Sequence, residues 1–192
     1  PLEIDWRFFS LEEINREEGK KHPWDREWSY GWGMLRVAAM LRRTSMDVCD
    51  RLYEAAGRAL HEDGRKPHRP EVAEEICTEI GVDSGVVRAA IADDTTHEDV
   101  KVDHDTIANS GGFGVPTIIF PGDRHVYGPV VVPAPVGQDA LDLWDLTVAY
   151  SKVPHLYELK TPKSDEDMVH IARVFQPYIE AREWESREKP AR

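Results

Sequence analysis

The stretch GGFGVPTIIFPGDRHVYGPV, residues 111–130, decides the fold of this 192-residue chain. Residues 115–120 are apolar on both faces, which is the pattern of an inner strand. Residues 121–123 read Pro-Gly-Asp, which is turn chemistry, so residues 125–130 are predicted to form the returning arm of a hairpin. Pro116 cannot donate to a ladder and therefore fits only at the first position of the strand. The residues alone leave open whether Val115–Pro116 is cis, which exposes the backbone of Val115, or a trans bond that merely starts the strand.

On the N-terminal side of this hairpin, the spacing of apolar residues changes from every second residue to helical spacing, and it returns to a strand pattern at the hairpin. Residues 2–9 alternate apolar and polar side chains, which predicts an edge-like strand, and Ser10 caps a short helical turn over residues 11–15. Helical spacing then predicts five consecutive helices over residues 30–43, 45–64, 70–80, 82–93 and 96–110. A helical block flanked by strands predicts an all-helical insertion into an α/β domain.

On the C-terminal side, residues 137–151 form an amphipathic helical pattern. Ser164 with the acidic residues after it predicts the start of a last helix, bent or broken near Pro177, and residues 188–192 are predicted to fray.

The composition limits the classes of function. Asp and Glu outnumber Lys and Arg by 36 to 24, which gives a net charge of −12. Such a chain repels nucleic acid and anionic lipid, so neither is an expected partner. Cys49 and Cys77 fit no metal or C-x-x-C spacing and are predicted to be buried free thiols in a reducing, cytoplasmic compartment, with a structural disulfide as the alternative.

Aromatic residues and histidines form two further clusters. Trp24, Trp28, Tyr30 and Trp32 lie within nine positions, which indicates either core or lid packing or an apolar wall for a substrate. His97 and His104 share a helical face, but two turns separate them by about 10 Å, too far for one ion. No metal site is therefore predicted.

The order of motifs along residues 2–160 resembles the DsbA-like branch of the thioredoxin fold, and within it the FrnE-type and mycothiol-dependent reductase group. The matching motifs are Phe9-Ser10-Leu11 with Asn15, Trp32-Gly33 with Arg36, Leu60-His61, Gly114-Val115-Pro116-Thr117, Tyr127-Gly128-Pro129-Val130, Leu143-Trp144-Asp145, and Pro154-His155 with Glu158-Leu159-Lys160.

This resemblance implies an α/β, thioredoxin-like fold with a large all-helical insertion. The implied domains are residues 1–29 with 111–163, the insertion 30–110 and a C-terminal extension 164–192. The family's C-P-x-x motif is absent from the sequence, so its strand and helix are expected upstream of Pro1. Without that strand, the predicted strand at residues 2–9 would lose its ladder partner.

The resemblance also implies the site. Val115 and Pro116 would form a cis-proline loop against which the nucleophilic Cys packs, lining the main cleft. Asn15, Trp32, Arg36, His61 and Thr117 would bind the substrate or a thiol. The residues themselves offer a structural alternative for two of them, because Asn is common at the end of a helical turn and His is favoured by the dipole at a helix end.

The function implied is a cytoplasmic thiol-disulfide oxidoreductase or a reductase that uses a low-molecular-weight thiol. Mycothiol or glutathione is the expected cosubstrate, no cofactor is expected to bind tightly, and the partner would be a small thiol or a protein disulfide. Two alternatives stay open: a kappa-class-like glutathione transferase or isomerase with a Ser nucleophile, and a non-catalytic thioredoxin-fold binding domain. The oligomeric state also stays open, with a homodimer among the options.

Overall fold

The helices and strands follow the sequence patterns along most of the chain. The structure, a computed structural model, describes residues 2–187, without the side chains of residues 177, 178 and 181–187. Its elements are α1 (Leu11–Ile14), a 3-10 turn (Pro23–Asp25), α2 (Trp32–Thr44), α3 (Met46–His61), α4 (Pro70–Glu79), α5 (Gly85–Ala92), α6 (Asp94–Asn109), β1 (Thr117–Phe120), β2 (Arg124–Tyr127), α7 (Gln138–Ser151) and α8 (Asp165–Arg187). The predicted α/β class with a large helical block is confirmed.

The chain divides into two compact units, Pro1–Ser110 with Val174–Arg192 and Gly111–Arg173. In the first unit α2 is the central helix, since it packs against α3, α5 and α6. Its apolar face meets those of its neighbours in one core, whose largest fully buried side chains include Trp32, Phe8, Leu52, Ile76, Val37, Val87 and Val100.

The five predicted helices of this unit are confirmed, and polar side chains fix where two of them begin. The hydroxyl of Ser45 accepts from the N–H of Val48 at the start of α3. The carboxylate of Asp93 accepts from the N–H of Thr95 at the start of α6. These bonds satisfy N–H groups that have no partner inside the helix.

The second unit contains the predicted hairpin. β1 and β2 pair antiparallel, with Thr117 opposite Tyr127 and Phe120 opposite Arg124. The turn between them uses Gly122 at φ +83°, a left-handed conformation that suits glycine. α7 contacts β2, and the ring of Trp144 lies 6.2 Å from that of Phe120. The hairpin and α7 therefore match the prediction. Within the described residues β1 pairs only with β2, so the predicted inner strand is an edge strand.

The last helix starts where the sequence predicts. The hydroxyl of Ser164 accepts from the N–H of Asp167. The helix then continues past Pro177 without a break. A proline removes a single i to i−4 hydrogen bond, so the turns on either side keep their own bonds. The predicted fraying concerns residues 188–192, which lie outside the described residues.

The predicted strand over residues 2–9 is wrong, because none of the described residues 2–10 belongs to a strand. The segment lies against the helices instead. Exposure along its apolar face falls from 61% at Leu2 and 46% at Ile4 to 0% at Phe8. Its period of two thus reflects an extended segment with one face turned progressively into a helical core. The predicted domain that joins residues 1–29 to 111–163 differs from this grouping and stays a prediction.

Candidate functional site

The loop that contains Val115 and Pro116 is held by hydrogen bonds on both sides. The Val115–Pro116 bond is cis, as are Gly128–Pro129 and Val132–Pro133. The N–H of Gly128 donates to the carbonyl of Pro116 at 2.9 Å, one step beyond the β1–β2 ladder. The Thr117 hydroxyl donates to the carbonyl of Gly114 at 2.7 Å. Val115 and Pro116 themselves are exposed, so this loop can meet a substrate.

An aromatic ring fixes the entry to this loop. A Cβ placed on Gly114 would lie 2.7 Å from Cε2 of Tyr127. That distance is well inside van der Waals contact, so the ring occupies the space that any other side chain would need. Tyr127 also packs on Phe113, with ring centroids 4.7 Å apart. The sequence motifs include Gly114 and Tyr127, but the contact between these two residues could not be predicted because 13 positions separate them.

Asn15 lies at the exposed end of α1. Its backbone N–H and its Nδ2 both donate to the carbonyl of Leu11, the side-chain bond at 2.8 Å. Its Oδ1 accepts no hydrogen bond among the residues that the structure describes, so the amide oxygen is available to a ligand. Both interpretations of Asn15 from the sequence therefore remain: it ends a helical turn, and it presents a polar atom to solvent.

Glu12 is a buried carboxylate for which the sequence predicted no specific role. Its Oε2 accepts from the N–H groups of Gly31 and Trp32, at 3.0 and 3.2 Å, and so caps α2. Its Oε1 accepts from Nη1 of Arg26 at 2.6 Å. A carboxylate suits this place, because the helix N-terminus and the guanidinium are both positive. Glu12 therefore ties α1, which carries Asn15, to α2, which carries Trp32 and Arg36.

Trp32 is a core residue in this structure, with 1% of its surface exposed. Its indole Nε1 has no hydrogen-bond partner within the described residues. The ring of Trp24 lies 4.8 Å from it, and that of His97 lies 5.4 Å from it. Of the two interpretations of the aromatic cluster, core packing describes Trp32.

Arg36 is half-buried and holds the turn between α5 and α6. It donates through Nε to Thr96 Oγ1 at 2.9 Å and through Nη2 to the carbonyls of Ile91 and Asp93. Burial lowers the pKa of this guanidinium, partly offset by Asp94 and Asp93. Arg36 also lines a shallow hollow of about 400 Å³, whose other walls are Trp24, Asp94, Thr95, His97 and Glu98. Trp24 thus faces open space, as the substrate-wall interpretation requires.

The histidines have distinct surroundings. His61 is exposed in the last turn of α3, where the helix dipole favours it. His104 is buried on α6, and its Nδ1 accepts from the backbone N–H of Ser10 at 3.2 Å. Within residues 2–187 no group of three His, Cys, Asp or Glu side chains is placed to hold a metal ion.

Both cysteines are free and fully buried, as the sequence predicted. Burial raises the pKa of Cys49 and of Cys77 to about 11. Because the thiolate is the nucleophile, a thiol with such a pKa is inert at neutral pH. Neither cysteine can therefore start a thiol-disulfide exchange in this fold.

The predicted site residues fall into two groups, each inside one compact unit. Val115, Pro116 and Thr117 form the hairpin loop in the second unit, and the other four residues, Asn15, Trp32, Arg36 and His61, lie in the first.

In the described part of the chain no helix is long and apolar enough to cross a membrane.

Comparison with known proteins shows the family to which the chain belongs. The chain belongs to the Rv2466c-like family, described as "Mycothiol-dependent nitroreductase Rv2466c", whose model matches residues 1–161. The resemblance is thereby confirmed at the level of reductases that depend on a low-molecular-weight thiol. A similar protein is "Uncharacterized protein Rv2286c" of Mycobacterium tuberculosis (strain ATCC 25618 / H37Rv), which is 48% identical over 185 residues. That alignment covers 96% of this chain and 80% of the relative.

Proposed function

We propose that the protein takes part in the mycothiol-dependent reduction of small electrophilic acceptors. The observation that carries this proposal is the family match over residues 1–161, which spans Asn15 and the whole Val115–Pro116 loop. The family description names nitro compounds as acceptors, so a nitroaromatic compound is the first acceptor to test. Mycothiol would be a substrate of the reaction and not a resident cofactor.

The overall step balances with two thiols for each acceptor. Two mycothiol molecules form one S–S bond and release two electrons and two protons. A nitro group that takes them up becomes a nitroso group and one water molecule. Each mycothiol reacts as its thiolate, which is the nucleophilic form of a thiol. In this step the exposed loop at Val115 and Pro116 would lie beside the sulfur atoms, and the adjacent Thr117 would bind the polar part of the thiol. Asn15, in the first unit, offers a separate acceptor for such a polar group.

The chemistry of the available atoms supports this assignment of roles. The Oδ1 of Asn15 is exposed and can accept from a hydroxyl or N–H group of a polar thiol. Thr117 uses its hydroxyl hydrogen on the Gly114 carbonyl, so its oxygen remains an acceptor. Arg36 is engaged by three oxygen atoms of its own unit, and Trp32 is buried. We therefore propose that Arg36 and Trp32 shape the helical unit and do not bind the thiol directly.

A non-catalytic thiol-binding domain is the second candidate. The observation that favours it is the burial of Cys49 and Cys77, which leaves the 192 residues without a reactive sulfur. Such a domain would bind mycothiol through the same residues but would not oxidise it. Both candidates predict that mycothiol binds, and only the reductase predicts that it is oxidised.

The test mixes the purified protein with mycothiol and a nitroaromatic acceptor and follows free thiol and nitro absorbance together. We expect loss of two thiols for each nitro group and a several-fold higher KM for mycothiol in Asn15→Ala. Asn109→Ala, at the exposed end of α6, is the matched control and should behave like the parent. Binding of mycothiol in calorimetry without turnover would favour the binding domain. Equal use of glutathione would favour the kappa-class-like alternative.

A further inference from the structure

The segment before α1 is attached to α6 through two adjacent side chains. The N–H of Phe8 donates to Oδ2 of Asp103, and the N–H of Ser10 donates to Nδ1 of His104, both at 3.2 Å. Asp103 and His104 are both buried. Because Nδ1 accepts here, the imidazole must be neutral, with its proton on Nε2. The bond between Ser10 and His104 therefore exists in only one protonation state of His104.

This bond supports the start of α1. Ser10 is the N-cap of that helix, and its hydroxyl accepts from the N–H of Glu13 at 3.1 Å. The helix has only four residues, from Leu11 to Ile14, and Asn15 follows directly. A single helical turn is not stable by itself, since nucleation costs more than one turn of hydrogen bonds returns. The position of Asn15 thus depends on how firmly Ser10 is held.

We infer that His104 is a positioning residue for Asn15 and that protonation of His104 weakens this support. The inference rests on the proposed function only through the role of Asn15 in binding the thiol. Protonated His104 presents N–H groups at both ring nitrogens. Its Nδ1–H would then oppose the N–H of Ser10, so the hydrogen bond would be lost and the N-cap of α1 released.

The groups around His104 determine whether it stays neutral. Its ring lies 4.8 Å from that of Phe9 and 6.2 Å from that of Trp32. Burial lowers the pKa of His104 and is the largest influence on it, with Lys101 acting in the same direction.

Asp105 on α6 and Glu13 on α1 act in the opposite direction and favour the protonated ring. Glu13, however, is also paired with Arg16 at 3.2 Å and with His22 at 2.9 Å. Asp103, the adjacent residue on α6, is paired with Arg42 and Arg7. His104 is therefore neutral at pH 7 and gains a proton only in acid.

The direct test is amide hydrogen exchange at Ser10, measured by NMR across the titration of the His104 ring. We expect the protection of Ser10, corrected for the intrinsic exchange rate, to fall at least tenfold as the ring becomes protonated. His104→Asn places an amide oxygen, which does not titrate, where Nδ1 lies, and should keep the protection of Ser10 constant. Thr106→Ala, an exposed change on the same helix, should follow the parent. Constant protection of Ser10 while the His104 ring titrates would overturn the inference, and this result needs no folded variant.

A second measurement connects the bond to the site. The KM for mycothiol should rise in acid in the parent relative to His104→Asn at the same pH, since the comparison cancels the ionisation of mycothiol itself. If Ser10 loses protection but the two KM values stay equal, His104 does not position a thiol-binding residue and the inference fails in that part. If mycothiol shows neither binding nor turnover at any pH, the proposed function fails, while the exchange result still decides whether His104 supports α1.

Discussion

The backbone N–H of Phe8 donates to Oδ2 of Asp103 at 3.2 Å across 95 positions of sequence. The same oxygen accepts from Nη1 of Arg42 at 2.6 Å, and the guanidinium of Arg42 lies 4.3 Å above the ring of Phe8. The Arg42 Nη1 also donates to the carbonyl of Trp6. Side chains of α2 and α6 thus pair with the carbonyl of Trp6 and the N–H of Phe8 in the way that a neighbouring strand would.

Asp103→Asn should destabilise the first unit, because it leaves the guanidinium of Arg42 partly buried without its negative partner. Removal of one member of a buried ion pair costs about 3 kcal/mol or more. Chemical denaturation measures this loss, and exchange of the Phe8 amide should accelerate as well. Asp105→Asn, two positions further and paired with Lys101 at the surface, is the control and should cost below about 0.5 kcal/mol. Equal losses in both variants would show that the contact with Phe8 carries no special weight.

Glu12→Gln should weaken the junction between α1 and α2. The carboxylate accepts from two N–H groups of the α2 N-terminus and from Arg26, and a neutral amide satisfies fewer of these donors. The expected loss in the free energy of unfolding is about 2 kcal/mol. Glu54→Gln is matched in chemistry, but Glu54 is exposed and pairs with Arg58 one turn away, so it should cost about 0.3 kcal/mol. A loss at Glu12 as small as at Glu54 would contradict this role.

Gly114→Ala should destabilise the hairpin loop, since the new methyl group would meet the ring of Tyr127 at 2.7 Å. Overpacking of this kind costs about 1–3 kcal/mol. In a Tyr127→Val background the same change should cost much less, and the difference is the coupling measured by a double-mutant cycle. Gly57→Ala in α3, where no atom lies within 4 Å of the new group, should instead stabilise by about 0.5–1 kcal/mol. Equal costs of Gly114→Ala in both backgrounds would exclude the ring as the cause.

Local patterns predicted most of this fold. Ser45 begins a helix because its side chain satisfies a nearby N–H group, and the turn at residues 121–123 closes a hairpin through Gly122. These features depend on residues a few positions apart, which is the range over which propensity and turn chemistry act. The family resemblance, which rests on the order of motifs, was confirmed by the family match at the level of mycothiol-dependent reductases.

Such local patterns could not predict contacts between residues that are far apart in the sequence. The alternating residues 2–8 read as a strand, yet their backbone hydrogen-bond partners are side chains of two helices, Arg42 on α2 and Asp103 on α6. The buried role of Glu12 could not be read either, because its partners at Arg26, Gly31 and Trp32 are 14 to 20 positions away. For the same reason the sequence did not show that Trp32 lies in the core, and the resemblance implied a binding role for it. The role of a side chain depends on its neighbours, and neighbours that are distant in the sequence are known only from the folded structure.

His68 should make stability depend on pH in a defined window. Its side chain is 4% exposed, and burial lowers its pKa to about 4, with Arg69 and Lys66 acting in the same direction and Glu180 and Glu71 against it. Between pH 6.5, the ordinary value, and pH 4 the unfolded chain binds a proton at this position and the folded chain does not. Stability therefore rises with pH through this window and falls as the solution is acidified, by up to about 3 kcal/mol for a shift of this size.

Urea denaturation at intervals from pH 7.5 to pH 4 measures this dependence, and His68→Gln should flatten the curve because it removes the titrating ring. The hydrogen bond from Trp28 Nε1 to the carbonyl of residue 68, at 2.6 Å, involves the backbone and should survive the change. His61→Gln, at the exposed end of α3, controls for the loss of a histidine. In this variant the free energy of unfolding should depend on pH as it does in the parent. His104 contributes a slope of the same sign, so His68→Gln should retain part of the acid sensitivity. A curve for His68→Gln that overlays the parent would show that His68 does not stay neutral in the folded protein.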